Sequence, residues 1–195
     1  MKKLRFVITG NPGAGKHTIA EIIAGRINTE IIDINDVAIH NNATGKNTNL
    51  GLDVDVKRLA RLLDKLLKTK TNLILVGHLA PYVLKPAGIT LVAVLRRSPY
   101  ELEKTLKKRG YSIDKVRENV ASEILGISLY DSLKTFGKSK VVEFDTTGKT
   151  PIETADEILA IVQNRRKLKP KPKLIGIDWL NLVSEKGDLA RFFKY

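Results

Sequence analysis

The chain has 195 residues, of which 43% are hydrophobic and 28% charged, enough to build the core of one main domain with an appendage. No apolar run approaches the ~20 residues of a membrane-spanning helix, and no signal peptide is apparent, so we expect a cytoplasmic protein with no membrane partner. Zero cysteines exclude disulfides, thiolate metal sites and cysteine nucleophiles.

The net charge of +13, from 34 basic and 21 acidic residues, favours polyanionic partners. About half of the excess lies in residues 165–173, whose sequence RRKLKPKPK contains six basic residues, two prolines and no acid. We expect this segment to be a stiff, extended linker, either a solvated spacer or a contact for a polyanion. It divides the chain into a main domain at residues 1–164 and an extension at residues 174–195.

The predicted strands are short apolar runs separated by helical patterns. The first strand covers residues 4–9 and stops at Gly10, and a helix with isoleucines at helical spacing follows. Because the strand runs are apolar almost throughout, they favour an α/β fold with a five-stranded parallel sheet covered by helices on both faces. The other four strands are predicted at residues 30–34, 72–76, 90–95 and 141–145.

Local signals predict several loops and helix starts. The polar residues 41–49 indicate a mobile loop, and Asp53 is expected to open a helix with one apolar face. The sequences SPYE at residues 98–101 and TPIE at residues 150–153 have the capping-box pattern with proline at the first helical position. Each of them predicts the start of a helix.

The strongest functional signal is the sequence GNPGAGKHT at residues 10–18, between the first strand and the first helix. In a phosphate-binding loop, glycines let backbone N–H groups face phosphate oxygens, and the lysine, here Lys16, reaches the β- and γ-phosphates. The pattern therefore predicts ATP or GTP as the ligand. A purely structural glycine-rich turn is the alternative.

The residue after the lysine departs from the strict pattern, which has Ser or Thr there as a magnesium ligand. This chain has His17, and a hydroxyl follows one residue later at Thr18, which becomes the candidate metal ligand. The departure resembles the adenylate kinases. It indicates a nucleotide kinase rather than a switch GTPase.

Two arginines are candidate phosphate contacts. Phosphoryl transfer spreads charge over the equatorial oxygens, so Arg109, in an Arg-Gly-Tyr turn between two predicted helices, is a candidate lid residue that closes over the γ-phosphate. The alternative is a basic cluster that favours the helix dipole. Arg96, at the end of a predicted strand, is either a second phosphate clamp or an ordinary surface arginine.

The third predicted strand ends in the sequence VGH at residues 76–78. A phosphate-loop enzyme is expected to have a magnesium-associated aspartate near here, and Val76 stands in its place. His78 is expected to position a water molecule or the magnesium shell, or merely to cap the strand. Asp33 and Asp36 are alternative carboxylates facing the same crevice, or else helix caps.

Together these residues resemble the sixth adenylate kinase isoenzyme family, small archaeal and eukaryotic kinases that also act as ribosome assembly factors. The likeness covers roughly residues 4–163, and the family usually shows an acidic residue at the place of Val76. The segments that carry it are GNPGAGKHT at 10–18, INDVA at 34–38, VGHLA at 76–80, VLRRSP at 94–99, LKKRGYSIDKVRENVASEIL at 106–125 and DTTGKTP at 145–151.

The resemblance implies a P-loop nucleoside monophosphate kinase fold with a short lid at about residues 108–118. It implies the reaction ATP + AMP ⇌ 2 ADP with Mg²⁺, and a slow ATPase activity. The monophosphate would bind at about residues 33–54, with Asp36 and Arg96 as contacts. The implied catalytic residues are Lys16, Arg109 and His78, and the implied ATP-binding residues are Gly13, Ala14, Gly15, Lys16, His17, Thr18, Arg109 and Lys149, the last beside the adenine.

The resemblance also implies a role in late maturation of the small ribosomal subunit. The implied partners are a platform ribosomal protein and the pre-ribosomal subunit, bound transiently, with rRNA contact through the basic tail. Two alternatives stay open: an ATP-gated assembly factor with incidental kinase activity, and a kinase for a small metabolite. The aromatic residues of the extension at 174–195 lie outside the resemblance and are expected to dock on the kinase body or on a partner.

Overall fold

The computed structural model describes residues 4–48, 51–167 and 176–193. The strands in these ranges are β1 Arg5–Gly10, β2 Glu30–Asp33, β3 Thr44–Thr48, β4 Gly51–Val54, β5 Leu73–Val76, β6 Leu91–Arg96 and β7 Val141–Asp145. The helices are α1 Lys16–Ile27, α2 Ile34–His40, α3 Val56–Thr69, α4 Ala80–Val83, α5 Pro99–Lys108, α6 Ile113–Ile124, α7 Ile127–Phe136, α8 Pro151–Lys167, α9 Trp179–Glu185 and α10 Leu189–Phe192. None of the helices in the described part of the chain is long and apolar enough to cross a membrane.

Five strands form one sheet in the order β2-β5-β1-β6-β7, and every pair in it is parallel. The prediction of a five-stranded parallel sheet is confirmed. The chain builds first to one side of β1 and then to the other, so the order reverses at β1. In open α/β sheets ligands bind at such a reversal, outside the carboxyl ends of the strands.

Alternate side chains of each strand enter two separate cores, which explains why the strands are apolar throughout. Along β1, Phe6 and Ile8 join a cluster with residues of α1 and α8 on one face. Val7, between them, joins a cluster with residues of α3, α4 and α7 on the other face. Helices therefore cover both faces, as predicted.

Gly10 ends β1 at a point where only glycine fits. Its φ is 135°, in a region that side chains disfavour. A Cβ atom there would lie 2.3 Å from the carbonyl oxygen of Leu95 on the neighbouring β6. The close approach of these two strands lets the chain turn directly into the loop that follows.

The prediction of a mobile loop at residues 41–49 and of a helix opening at Asp53 is wrong. Residues of β3 and β4 pair as an antiparallel hairpin, with a register shift between Thr44 and Asn47. The helix α3 begins after Asp55, whose carboxylate accepts the backbone N–H of Arg58. A polar ribbon held by backbone hydrogen bonds leaves no apolar alternation in the sequence, which is why its pattern predicts a loop.

Both predicted capping-box helices begin where expected, but only one forms the box. At the start of α8, Glu153 accepts the backbone N–H of Thr150 at 2.7 Å, and the hydroxyl of Thr150 accepts from Glu153 at 3.3 Å. At the start of α5, Ser98 makes no side-chain cap, and Glu101 pairs with Arg97 instead. The competing arginine takes the carboxylate that the box requires.

The C-terminal extension docks on the body of the domain. Trp179 and Val183 of α9 and Phe192 of α10 are buried against apolar side chains of α5 and α6. The helix α8 continues to Lys167, three residues past the predicted end of the main domain at residue 164. Residues 168–173 of the predicted basic linker lie outside the described residues.

We expect Trp179→Ala to lower the free energy of unfolding by about 3–5 kcal/mol, because it removes a large side chain that is only 9% exposed. Leu180→Ala is the matched control on the same helix, since Leu180 is 43% exposed, and its effect should stay within about 0.5 kcal/mol. Denaturant titration measures both values. Equal effects of the two substitutions would show that the extension does not dock as described.

Candidate active site

The segment at residues 10–18 forms a loop between β1 and α1, as predicted, and Lys16 is the first residue of the helix. Gly13 and Gly15 have φ values of 88° and 91°, and the backbone N–H of Ala14 donates to Asn11. The loop borders a cavity of about 200 Å³. The residues lining that cavity are Pro12, Gly13, Gly15, Lys16, His17, Thr18, Asn35, His78, Arg109 and Tyr111.

Lys16 places a buried positive charge at the floor of this cavity. The residue is 7% exposed, and its ammonium group donates to the carbonyl oxygen of Asn11 at 3.0 Å. Burial and then the charge of Arg109 lower the pKa of Lys16 to about 8, against the opposing carboxylates of Asp33 and Glu123. An anion in the cavity would relieve both causes, because it would solvate the ammonium group and offset the arginine.

His17 contacts the carboxylate of Asp33, at the end of β2. That carboxylate also accepts the backbone N–H groups of Asn35 and Asp36, so it caps α2. Burial alone would raise the pKa of Asp33, but the hydrogen bonds from His17, Asn35 and Asp36 together lower it. Asp33 is therefore ionised at neutral pH, next to the phosphate loop.

The register of the sheet shows where a carboxylate lies in this chain. Val76 is wholly buried in β5, and its partner across the parallel pair with β2 is Asp33. Adjacent strands are about 4.8 Å apart, so Asp33 stands one strand away from the place where a phosphate-loop enzyme is expected to have its aspartate. Both departures from the strict pattern therefore lie next to the same residue: His17 contacts the carboxylate of Asp33, and Val76 is paired with Asp33 in the sheet.

The oxygen donors beside the loop fit a magnesium ion held mainly by nucleotide. Thr18 is exposed and lines the cavity, and Asp33 is ionised nearby. Mg²⁺ keeps several waters and takes one or two protein oxygens together with substrate phosphates, rather than a cage of side chains. The described residues contain no group of three or more His, Cys, Asp or Glu side chains that could hold a metal.

His78 lies at the wall between two cavities. Burial and the charge of Lys16 lower the pKa of His78 to about 4, although Asp33 opposes the shift. The imidazole is therefore neutral at pH 7, and it can donate or accept a hydrogen bond but carries no charge. A role in positioning water stays a prediction.

A larger cavity of about 670 Å³ adjoins the first and shares Pro12, Asn35, His78 and Tyr111 with it. Its walls come from α2 and the β3–β4 hairpin on one side and from α6 and α7 on the other. The charged residues in its lining are Asp53, Lys115 and Glu118. The geometry is that of two sites that meet at one wall, beside Lys16 and Arg109.

The structure corrects the prediction for Arg96. Its side chain is 2% exposed and forms ion pairs with Glu123 and Glu143, so its guanidinium is committed inside the fold and not to a phosphate. The next residue, Arg97, reaches the loop instead, with one nitrogen 3.2 Å from the carbonyl oxygen of Gly13. Because successive side chains at a strand end point to opposite sides, the sequence pair Arg-Arg did not indicate which one faces the loop.

The remaining predicted site residues line neither cavity in the part of the chain that the structure describes. Lys149 donates to Glu157 at 2.7 Å, and Asp36 is exposed on α2. Ala14 is buried in the core, so its backbone alone can face a phosphate. Their binding roles stay predictions. The sequence analysis missed Asn11, whose hydrogen bonds join the loop to α6 and α7.

A phosphate loop after the first strand, a sheet that reverses at that strand and an arginine turn facing the loop define a P-loop kinase. A family model described as "AAA domain" matches residues 7–126. Relatives named "Putative adenylate kinase" occur in Pyrococcus furiosus, at 38% identity over 92% of this chain and 93% of the relative, and in Methanocaldococcus jannaschii, at 33% identity over 85% and 90%. The chain therefore belongs to the family of these archaeal relatives named "Putative adenylate kinase".

Solved structures with low sequence identity share the fold. A shikimate kinase from Acinetobacter baumannii has a TM-score of 0.60 at 14% identity, covering 85% of this chain and 96% of its own. A thymidylate kinase from Candida albicans has a TM-score of 0.55 at 14% identity, covering 85% and 93%. The nucleoside monophosphate kinase type of fold, predicted from the sequence, is confirmed.

We expect the binding of ATP at pH 8 to take up protons. About half of the Lys16 ammonium groups are deprotonated at this pH in the empty protein, and nearby phosphates raise the pKa, so binding draws a proton from solution. Calorimetry in buffers of different ionisation enthalpy measures the uptake. It should vanish at pH 6 and in Lys16→Arg, whose guanidinium stays charged. A heat of binding independent of the buffer at pH 8 would contradict the expectation.

Proposed function

We propose that the protein is a nucleoside monophosphate kinase that transfers the γ-phosphoryl group of ATP to AMP, giving two ADP. The observation that carries the proposal is the pair of adjoining cavities. One contains the phosphate loop with Lys16 and Arg109, and the other is large enough for a nucleoside monophosphate. The names of the archaeal relatives support the same reaction.

The residues at the donor side act by position and charge. Backbone N–H groups of the loop hold the ATP phosphates, and Lys16 and Arg109 offset the charge that spreads over the transferred group. Thr18 and Asp33 are the oxygen donors that would hold Mg²⁺ with the nucleotide, and the ion would supply further charge neutralisation there. The acceptor is the phosphate oxygen of the monophosphate, so no side-chain nucleophile is needed.

The acceptor side combines the wall formed by α2 and the β3–β4 hairpin with aromatic rings. Tyr82 and Tyr111 offer faces for a nucleobase, and Asn35 and Asn119 offer polar groups. Lys115 lies over the ring of Tyr111 at 5.7 Å, and its cation is placed to meet an acceptor phosphate. Exclusion of water by this wall favours transfer to the monophosphate over hydrolysis.

The ribosomal role, the ATPase activity and the cytoplasmic location remain proposals. The first two rest on the family resemblance, and the net charge of +13 adds support for a polyanionic partner such as the ribosome. The position of Val76, where no carboxylate can orient a magnesium shell directly, favours the alternative of an ATP-gated assembly factor with incidental kinase activity. A kinase for a small metabolite would use the same loop with another acceptor.

We expect Lys16→Ala to abolish phosphoryl transfer and Arg109→Ala to lower kcat by about 100-fold with a smaller change in ATP affinity, since the arginine acts most on the developing charge. Lys104→Ala, which removes an exposed cation from the middle of α5, the helix that ends next to Arg109, is the control and should keep wild-type turnover. Equal losses of kcat and affinity in Arg109→Ala would argue against a lid role.

The acceptor is tested by incubating the protein with ATP and Mg²⁺, with and without each nucleoside monophosphate, and quantifying every nucleotide. We expect ADP to form much faster with AMP, and AMP to be consumed in step with ATP. Slow loss of ATP regardless of any monophosphate would instead support the ATP-gated assembly factor. Transfer to none of the nucleotides, with shikimate or gluconate as accepted substrates, would support the small-metabolite kinase.

A further inference from the structure

The C-terminal extension reaches the phosphate loop through one buried carboxylate. Glu123 of α6 is wholly buried. One of its oxygens accepts the side-chain N–H of Asn11 in the loop at 2.7 Å, and the other accepts the indole N–H of Trp179 at 3.1 Å. Arg96 and the backbone N–H of Arg97 donate to the same carboxylate. Glu123 therefore joins the loop, the end of β6 and the extension.

On the side of the loop, Asn11 passes this connection to Lys16. Its backbone carbonyl oxygen accepts a hydrogen bond from the ammonium group of Lys16 at 3.0 Å. Its side-chain oxygen accepts hydrogen bonds from the hydroxyls of Ser122 at 3.1 Å and Ser128 at 3.3 Å. The amide of Asn11 is thus held from both ends. Hydrogen bonds hold this side-chain amide in place, and Glu123 accepts one of them, so Glu123 helps to fix the residue whose backbone carbonyl oxygen accepts from Lys16.

The buried cluster around Glu123 needs donors from the extension. Glu143 and Glu123 share the single guanidinium of Arg96, and burial raises the pKa of Glu143 in spite of that partner. The extension supplies two neutral donors, the backbone N–H of Ile177 to Glu143 at 3.2 Å and the indole of Trp179 to Glu123. A buried carboxylate that loses a donor is strongly disfavoured, so these bonds hold the cluster in one arrangement.

Packing orients the indole N–H of Trp179 toward the carboxylate of Glu123. Trp179 is 9% exposed, and with Val183 and Phe192 it packs on α5 and α6. The hydroxyl of Tyr100 on α5 also donates to Asp188 at 2.7 Å, between the two short helices of the extension. The ring is therefore held from several directions, with its N–H toward Glu123.

We propose that Trp179 is a positioning residue for the phosphate loop: its indole holds Glu123, and Glu123 holds Asn11 beside Lys16. The inference rests on the proposed function, since it takes residues 10–18 to be a nucleotide-binding loop. It makes nucleotide binding depend on a residue that lies outside the loop and lines neither cavity. The extension then belongs to the machinery of nucleotide binding, and Trp179 acts without touching the nucleotide.

The test measures binding of the non-hydrolysable analogue β,γ-imido-ATP to the full chain by calorimetry. Trp179→Phe keeps an aromatic ring and removes the donor, and we expect it to weaken binding by about 10-fold, as Asn11→Ala should. The double variant should bind no more than about twofold weaker than Asn11→Ala alone, because both changes break one chain of contacts. Leu180→Ala, exposed on the same helix, should bind as the wild type does.

Fluorescence gives a second readout that does not depend on the Trp179→Phe variant folding. Trp179 is the single tryptophan of the chain, so its emission reports the extension alone. We expect saturating analogue to change the emission of the wild type and to leave that of Asn11→Ala unchanged. A residue that only fills space on α5 and α6 would not lose its response when Asn11 is shortened.

The possible outcomes distinguish failure of the positioning role of Trp179 from failure of the proposed kinase function. Wild-type affinity in Trp179→Phe, independent effects in the double variant, or an emission that ignores the analogue would overturn the positioning role. Failure of the wild type to bind the analogue would overturn both the phosphate loop and this inference. Binding with the expected coupling, but no transfer to any nucleoside monophosphate, would overturn only the proposed acceptor.

Discussion

The arrangement of the site depends on one buried positive charge, on Lys16, which has no carboxylate as a hydrogen-bond partner among the residues that the structure describes. The ammonium group of Lys16 donates to a backbone carbonyl, and Arg109 adds a second positive charge nearby. Burying a cation without an anion is unfavourable, and the lowered pKa of Lys16 expresses that penalty. A polyphosphate removes the penalty when it binds. The charges of Lys16 and Arg109 therefore favour an anion at this loop.

A second buried cation, Arg96 at the end of the neighbouring strand β6, shows the opposite condition. Arg96 is paired with Glu123 and Glu143, so its charge is compensated inside the fold. Such a fully paired group shapes the structure and is not free for a ligand. Lys16 and Arg96 are both buried basic residues near the carboxyl ends of strands, yet their partners give them different roles. Pairing, rather than residue type, separates the functional cation from the structural one.

The sequence was sufficient for the elements that depend on local patterns. Apolar runs predicted all five strands of the sheet, and glycines at required conformations predicted the phosphate loop. It was insufficient where the outcome leaves no hydrophobic pattern or depends on distant partners. The polar residues of the β3–β4 hairpin carry no alternation, although their strands are close in sequence. The choice between Arg96 and Arg97 depends on carboxylates far along the chain, so tertiary contacts decided it.

The carboxylate of Asp33 shows the same limit of local sequence patterns. In the sequence, His17 and Val76 are two separate departures from the phosphate-loop pattern. In the structure they are neighbours of one residue, because Val76 pairs with Asp33 in the sheet and Asp33 contacts His17. The hydrogen bonds that lower the pKa of Asp33 keep it ionised, so a negative charge stands next to the phosphate loop although the residue at position 76 is valine. Since His17 both contacts this carboxylate and lines the cavity, the two departures from the pattern belong to one local arrangement of a histidine and an aspartate at the ends of neighbouring elements.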